Sequence, residues 1–146
     1  MNAVHVALGV ALVAVNLAAG ALGAWTWWRG GASRIFWPLL RAGQALVVLQ
    51  AADGLLLVVL GHDLPELHLV YGLTPLLVSF LAEQLRLASA DAVLDARGLE
   101  GSAAVGRLPE PEQREIVLAI VRREMGVMAA SALVVTVLAL RGAGWL

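Results

Sequence analysis

Hydrophobic residues fill four long stretches of the chain, and short polar segments separate them. The stretches cover about residues 3–28, 36–60, 66–86 and 118–141. A helix rises about 1.5 Å per residue, so about 20 apolar residues cross the roughly 30 Å hydrocarbon core of a bilayer. The pattern therefore predicts four transmembrane helices. We expect an all-α integral membrane four-helix bundle with an up-down-up-down path, in which residues 1–146 form a single transmembrane domain.

Turn and capping signals refine the helix ends. The connections "RGGASR" and "GHDLPE" are short, so helices 1, 2 and 3 are expected to be antiparallel neighbours. Helix formers continue beyond the third apolar stretch until Gly98, and "PEPEQREIVLAIVRRE" begins the last helix before its apolar part. We expect helices at about 3–28, 36–60, 66–97 and 110–141. Helices 3 and 4 would then have cytoplasmic extensions, joined by a flexible "LEGSAAVGRL".

Composition supports a membrane protein and narrows its chemistry. The chain is 60% hydrophobic and 14% charged, whereas a soluble domain has about a quarter charged residues. It contains no cysteine, which excludes disulfides and thiolate metal sites. The net charge is −1, and no basic cluster interleaves with aromatic residues, so nucleic acid is not an expected partner. The expected partners are the lipid bilayer and either other membrane subunits or further copies of this chain.

The basic residues predict the orientation in the membrane. All ten are arginine, and nine of them flank the first and third connections, while only Arg141 lies toward the other side. Arginine-rich connections stay in the cytoplasm, so both termini and "GHDLPE" are predicted to lie outside. The arginine-only basic set hints at a GC-rich genome, and we expect the bacterial cytoplasmic (inner) membrane.

The third stretch carries a line of polar and small residues. Positions three or four apart share one face of a helix. That spacing relates the following residues: His68, Gly72, Pro75, Ser79, Glu83 and Arg86. A charged side chain costs about 2.5 to 3.5 kcal/mol at the bilayer centre, so such residues usually face the interior of a bundle. We expect this line to face inward.

Helix 1 repeats the beginning of this line. His5 and Gly9 match His68 and Gly72, since both pairs read H-x-x-x-G, and Asn16 continues the helix 1 face. Helices 1 and 3 run in the same direction, so the two histidines should lie at similar depth. Their imidazoles could supply two axial nitrogens to a haem iron, with the two glycines leaving room for the porphyrin edge. Tyr71 joins this candidate cofactor-binding set.

This arrangement resembles the general plan of membrane b-type cytochromes, in which two histidines hold a haem inside a helical bundle. The resemblance covers the two H-x-x-x-G segments and the four-helix architecture, and it implies His5 and His68 as metal ligands. Two other interpretations stay open. In one, the glycines serve close helix packing while the histidines lie at the interface. In the other, the site binds a quinone or relays protons.

Further polar residues are expected inside the bundle. Gln50 and Asp53 lie on helix 2, and an unpaired Asp53 would seek a donor such as Asn16, Gln50, Tyr71, Thr74 or a histidine. Glu83 and Arg86 are three residues apart and indicate an ion-pair network with helix 4, or else a site for anionic lipid headgroups.

Three function classes follow from these residues. The first is a cofactor-bearing or accessory subunit of a membrane redox system, with b-type haem or quinone. The second is a cofactor-free structural or assembly subunit. The third is a small oligomeric transporter or channel, lined by Asn16, Gln50, Asp53, Ser79 and Glu83. No nucleophile–base set or phosphate-binding glycine loop is present in the sequence, so a stand-alone enzyme is not expected.

Overall fold

The computed structural model describes residues 3–63 and 65–146, and all regular structure in these ranges is helical. The helices are α1 (Ala3–Trp28), α2 (Phe36–Val59), α3 (Glu66–Asp95), α4 (Gly101–Val105) and α5 (Glu110–Gly142). The all-α prediction is therefore confirmed. The expected count of four was wrong, because the connection predicted to be flexible contains the short helix α4.

Three of these helices are long and apolar enough to cross a membrane, namely α1, α2 and α5. The sequence analysis predicted four spans. The difference lies in α3, whose apolar residues are interrupted by polar and charged side chains from His68 to Arg86. The structure therefore shows an all-helical fold with three helices that could span a membrane, and not the predicted four spans.

The long helices form a ring. The closely packed pairs are α1 with α2, α1 with α5, and α3 with α5, while α2 and α3 touch along a shorter contact. The order around the bundle is therefore α1, α2, α3, α5, which puts α1 and α3 at opposite corners. Because α2 and α3 contact each other less, this side of the ring is the one that can leave space for a cavity.

Small residues let the helices approach closely near the end of α1 and the start of α2. A Cβ added at Gly23 would lie 2.5 Å from the Phe36 ring and 2.7 Å from Ala129 Cβ. Phe36 and its neighbours belong to a core of apolar residues from all four long helices. Its buried members are Ala19, Phe36, Leu40, Ala82, Met125, Met128, Ala129 and Ala132. A second cluster consists of Leu12, Val47 and Val135.

The polar lines face the interior, although to different degrees. His5 and Asn16 on α1 are buried, at 5% and 2% exposure. On α3, Pro75 is buried, whereas the other members of the line are only partly covered. Gly98 follows the end of α3 and has a φ of +65°. This is the left-handed conformation expected of a glycine that terminates a helix.

Candidate cofactor site

The site lies at the end of the bundle where α1 and α3 begin and α2 and α5 end, which we call the histidine end. His5 stands in the first turns of α1, and its buried ring faces α2. His68 occupies the first turn of α3, whose N-terminus is set by Pro65 and Glu66. Helices α1 and α3 start at the same end, so the two histidines reach the same depth, as their matched spacing predicts.

Both nitrogens of His5 have partners on α2. Nδ1 lies 2.8 Å from Asp53 Oδ2, and Nε2 lies 3.0 Å from Gln50 Nε2. A carboxylate only accepts hydrogen bonds, so Nδ1 donates to Asp53. Nε2 is then the unprotonated nitrogen, and it accepts from the Gln50 amide. The ring orientation and tautomer of His5 are therefore fixed by α2, and Asp53 finds a histidine as its partner.

His68 is oriented in a similar way from α5. Its Nδ1 lies 2.9 Å from the Gly142 carbonyl oxygen, which can only accept, so Nδ1 donates here too. In the neutral ring this puts the lone pair on Nε2. The ring centroids of His5 and His68 are 5.8 Å apart, and the ring planes are inclined by 47°. In its neutral form, each imidazole thus carries its proton on Nδ1, which donates to Asp53 in His5 and to Gly142 in His68.

A cavity of about 440 Å³ opens beside these rings. All four long helices contribute to its wall, together with Ala143 and Trp145 after α5. Its polar side chains are His5, Gln50, His68 and Tyr71, and most of the remaining wall is aliphatic. Representative aliphatic residues are Val6, Val10, Leu55, Leu69, Leu73 and Ala139. Such a space suits a flat, largely apolar ligand with a few polar contacts.

Glycines enlarge the space around the histidines. A Cβ at Gly72 would meet nothing within 4 Å, so this residue leaves open space instead of bringing two helices together. A Cβ at Gly9 would lie 3.5 Å from the Gln50 amide, and one at Gly54 would lie 3.6 Å from His5 Cε1. Both glycines of the H-x-x-x-G pairs line the cavity.

One polar atom at the site lacks a partner. Within the described ranges, Gln50 Oε1 is the buried side-chain nitrogen or oxygen without a hydrogen bond. A buried acceptor left without a donor typically costs about 1–3 kcal/mol. This acceptor belongs to the same side chain whose amide nitrogen donates to His5.

The other predicted polar residues lie away from this cavity. Asn16 is buried between α1 and α2, where Nδ2 donates to the carbonyls of Leu12 (2.9 Å) and Gly43 (3.4 Å). Glu83 accepts from Arg41 and Gln44 of α2 and from Arg86 of α3. Ser79 is partly buried on α3 between these two levels.

Arg86 also lies 3.6 Å from Glu124 of α5. This network ties three helices together at the opposite end of the bundle, which we call the arginine end. Its members are Arg41, Gln44, Glu83, Arg86 and Glu124. The sequence predicted an ion-pair network between its third and fourth helices, which are α3 and α5 of the structure. That network is present as the pair between Arg86 and Glu124, and α2 takes part in it as well.

Sequence reasoning missed two contributors to the site. Gly142 supplies the carbonyl that orients His68, and Gly54 lines the cavity beside His5. The only available signal was position, because Gly54 follows Asp53 directly and Gly142 lies at the end of the last apolar stretch. A main-chain acceptor has no side-chain signature in a sequence.

Comparison with known proteins gives no relative of this chain. No family model, no curated protein and no solved structure matches it. Within residues 3–63 and 65–146, no group of three or more His, Asp or Glu side chains is arranged to hold a metal ion.

Proposed function

We propose that this protein is a haem-binding subunit of a membrane electron-transfer system, with His5 and His68 as the two axial ligands. The observation that carries the proposal is the pair of anchored imidazoles at the wall of one apolar cavity. They come from α1 and α3, the opposite corners of the ring, so a ligand held by both would lie within the bundle.

The hydrogen bonds of the histidines support metal ligation. A metal-binding histidine usually donates its other ring N–H to a carboxylate or a main-chain carbonyl. His5 donates to Asp53 and His68 donates to Gly142, so Nε2 is the nitrogen that would bind a metal in each neutral ring. In His5 this nitrogen accepts from the Gln50 amide, so the Gln50 side chain would have to turn away before a metal could bind.

The two imidazoles lie close to each other, with their ring centroids 5.8 Å apart. One ligand in the cavity could therefore contact both rings. Two protein nitrogens complete an iron site when a porphyrin supplies the other four, and this favours haem over a bare ion.

The surroundings suit an electron carrier. A bound haem supplies one-electron chemistry at its iron, and its potential depends on the axial ligands and on burial. Here Asp53 would make His5 a more basic ligand, and the aliphatic wall would exclude water. Helices α2 and α3 contact each other little, so a flat group could enter the cavity between these two helices.

The membrane arrangement belongs to the same proposal. α3 would complete a fourth span, with its charged residues kept on the inner side of the ring. The arginine end would face the cytoplasm of a bacterium and the histidine end would face outward, together with both termini.

A quinone is the second candidate ligand. The observation that favours it is the Asp53–His5 pair at the wall of a mostly aliphatic cavity that also contains Tyr71. An imidazole held by a carboxylate can exchange a proton with a quinone oxygen, and a phenol can donate to the second oxygen. This ligand would use the same cavity, so the two candidates exclude each other at any one time.

Titration of haemin into the detergent-purified protein tests the proposal. We expect binding of one haem per chain, at least tenfold weakened in His5→Ala and in His68→Ala. His62→Ala is the matched control, because His62 is exposed in the connection between α2 and α3. Equal haem binding by all four proteins would refute the ligand assignment. Binding of a short-chain ubiquinone without haem binding would favour the second candidate, and binding of neither would favour a structural subunit.

A further inference from the structure

Arg141 occupies a distinctive position beside the cavity. It is the last-turn basic residue of α5 and directly precedes Gly142, whose carbonyl accepts from His68. Its guanidinium carbon lies 5.9 Å from the centroid of the Tyr71 ring, and Tyr71 lines the cavity. Trp145, four residues later, lines the cavity as well. The guanidinium does not itself line the cavity, but it lies beside Tyr71, which does, at the histidine end.

Arg141 makes no ion pair with an Asp or Glu side chain in the part of the chain that the structure describes. The ion pairs there involve His5, Arg41, Arg86, Arg97 and Arg114. Arg141 instead donates from Nη1 to the main-chain oxygen of Leu146, at 2.5 Å. A guanidinium has five N–H donors, so most of its donors remain for another acceptor.

We propose that Arg141 binds a propionate carboxylate of the haem, an inference that rests on the function proposed above. A b-type haem has an apolar macrocycle with two carboxylates on one edge. The aliphatic cavity suits the macrocycle, and the carboxylates must point toward water or toward a cation, since burying a lone charge is costly. Of the ten basic residues, Arg141 alone lies at the histidine end. Arginine binds a carboxylate through two parallel, charge-assisted hydrogen bonds.

A simpler role for Arg141 predicts a different result. A cation in the last turn of a helix is stabilised by the helix dipole, and this role concerns the fold alone. A comparison of two ligands distinguishes these two roles. Haem dimethyl ester has the same macrocycle and iron as haem, but its carboxylates are uncharged esters. A propionate contact is lost in the ester, whereas a structural role affects haem and its ester equally.

The experiment compares haem and haem dimethyl ester on wild type, Arg141→Gln, Arg141→Lys and Arg123→Gln. Arg123→Gln is the matched control, because Arg123 is an exposed arginine on α5 near the arginine end. We expect Arg141→Gln to weaken haem binding about tenfold or more, in line with the loss of a hydrogen bond between charged groups. The lysine variant should recover part of this loss. For the ester, all four proteins should bind equally.

Two results would overturn the inference alone. One is haem binding by Arg141→Gln at wild-type affinity, and the other is an equal loss for haem and for the ester. Failure of the wild type to bind haem would instead refute the proposed function, and this inference with it. Size-exclusion chromatography and the helical circular dichroism of each variant would show whether a weakened variant is still folded.

Discussion

Replacement of Gly23 by alanine should destabilise the bundle, even though alanine is the better helix former. The added Cβ would lie 2.5 Å from Phe36 Cε2 and 2.7 Å from Ala129 Cβ. Phe36 is fully buried and Ala129 is 2% exposed, so neither can move aside into solvent. The α1 backbone would have to shift away from both α2 and α5.

The magnitude follows from two opposing effects. Overpacking a well-filled core costs about 1–3 kcal/mol. Replacing glycine by alanine within a helix returns about 0.5–1 kcal/mol. The difference between these ranges is centred on a net loss of about 1 kcal/mol in the free energy of unfolding, which is about a fivefold change in the folded-to-unfolded ratio.

Gly72→Ala is the matched control for this substitution. It introduces the same methyl group within a helix, but at a position where nothing lies within 4 Å of the new Cβ. Its stability should equal or slightly exceed that of the wild type. Thermal unfolding of the detergent-solubilised proteins, followed by helical circular dichroism, measures both variants. The reasoning fails if Gly23→Ala is as stable as the wild type, or if Gly72→Ala loses as much stability as Gly23→Ala.

Three further substitutions test other parts of the structure. Glu83→Gln should destabilise the protein by about 1–3 kcal/mol, because it removes the central carboxylate of a charge network that joins three helices. Glu115→Gln is the control, since it removes one exposed ion pair worth at most about 1 kcal/mol. Equal unfolding temperatures for the two variants would contradict this prediction. Asn16→Ala should cost about 1–2 kcal/mol in the same assay, since the Gly43 carbonyl would lose a buried donor, and an unchanged stability would show that this contact is not important. Asp53→Ala should weaken haem binding about 10- to 100-fold by freeing the His5 ring, and it should do so without loss of helical content; wild-type affinity would refute a role for Asp53 in orienting His5.

The helices were largely predictable from the sequence because their ends have local causes. Short connections containing glycine and proline separate the apolar stretches, and Gly98 adopts the positive φ that a helix-terminating residue requires. The membrane span predicted for α3 is not among the three helices that are long and apolar enough to cross a membrane. Its polar line lowers the hydropathy of the helix that carries half of the candidate site.

The candidate site was predictable only in part. Helical spacing predicted that His5 and His68 lie on inward faces. The up-down path of the helices predicted that the two histidines lie at one depth. Their partners depend on how neighbouring helices rotate and slide, which one sequence does not determine. Asp53 was expected to bind one of several donors, and the structure selects His5. Gly72, expected to leave room for a ligand, does face open space.

The residues predicted as one transporter path lie in separate places. Asn16 joins α1 to α2 through main-chain carbonyls, and Glu83 belongs to the network at the arginine end. Gln50 and Asp53 instead contact His5 at the histidine end. A list of inward polar residues does not distinguish a continuous path from separate contacts, because the distance along the helix axis and the choice of partner both matter.

The spin state of the ferric haem complex tests the central claim most directly. Visible absorption spectra of the wild type, His5→Ala, His68→Ala and His62→Ala, each loaded with one haem, distinguish six-coordinate low-spin iron from five-coordinate high-spin iron. We predict low-spin spectra for the wild type and His62→Ala, and high-spin spectra or loss of haem for the other two. A low-spin spectrum that persists in either His5→Ala or His68→Ala would contradict the assignment of these two histidines as the axial ligands.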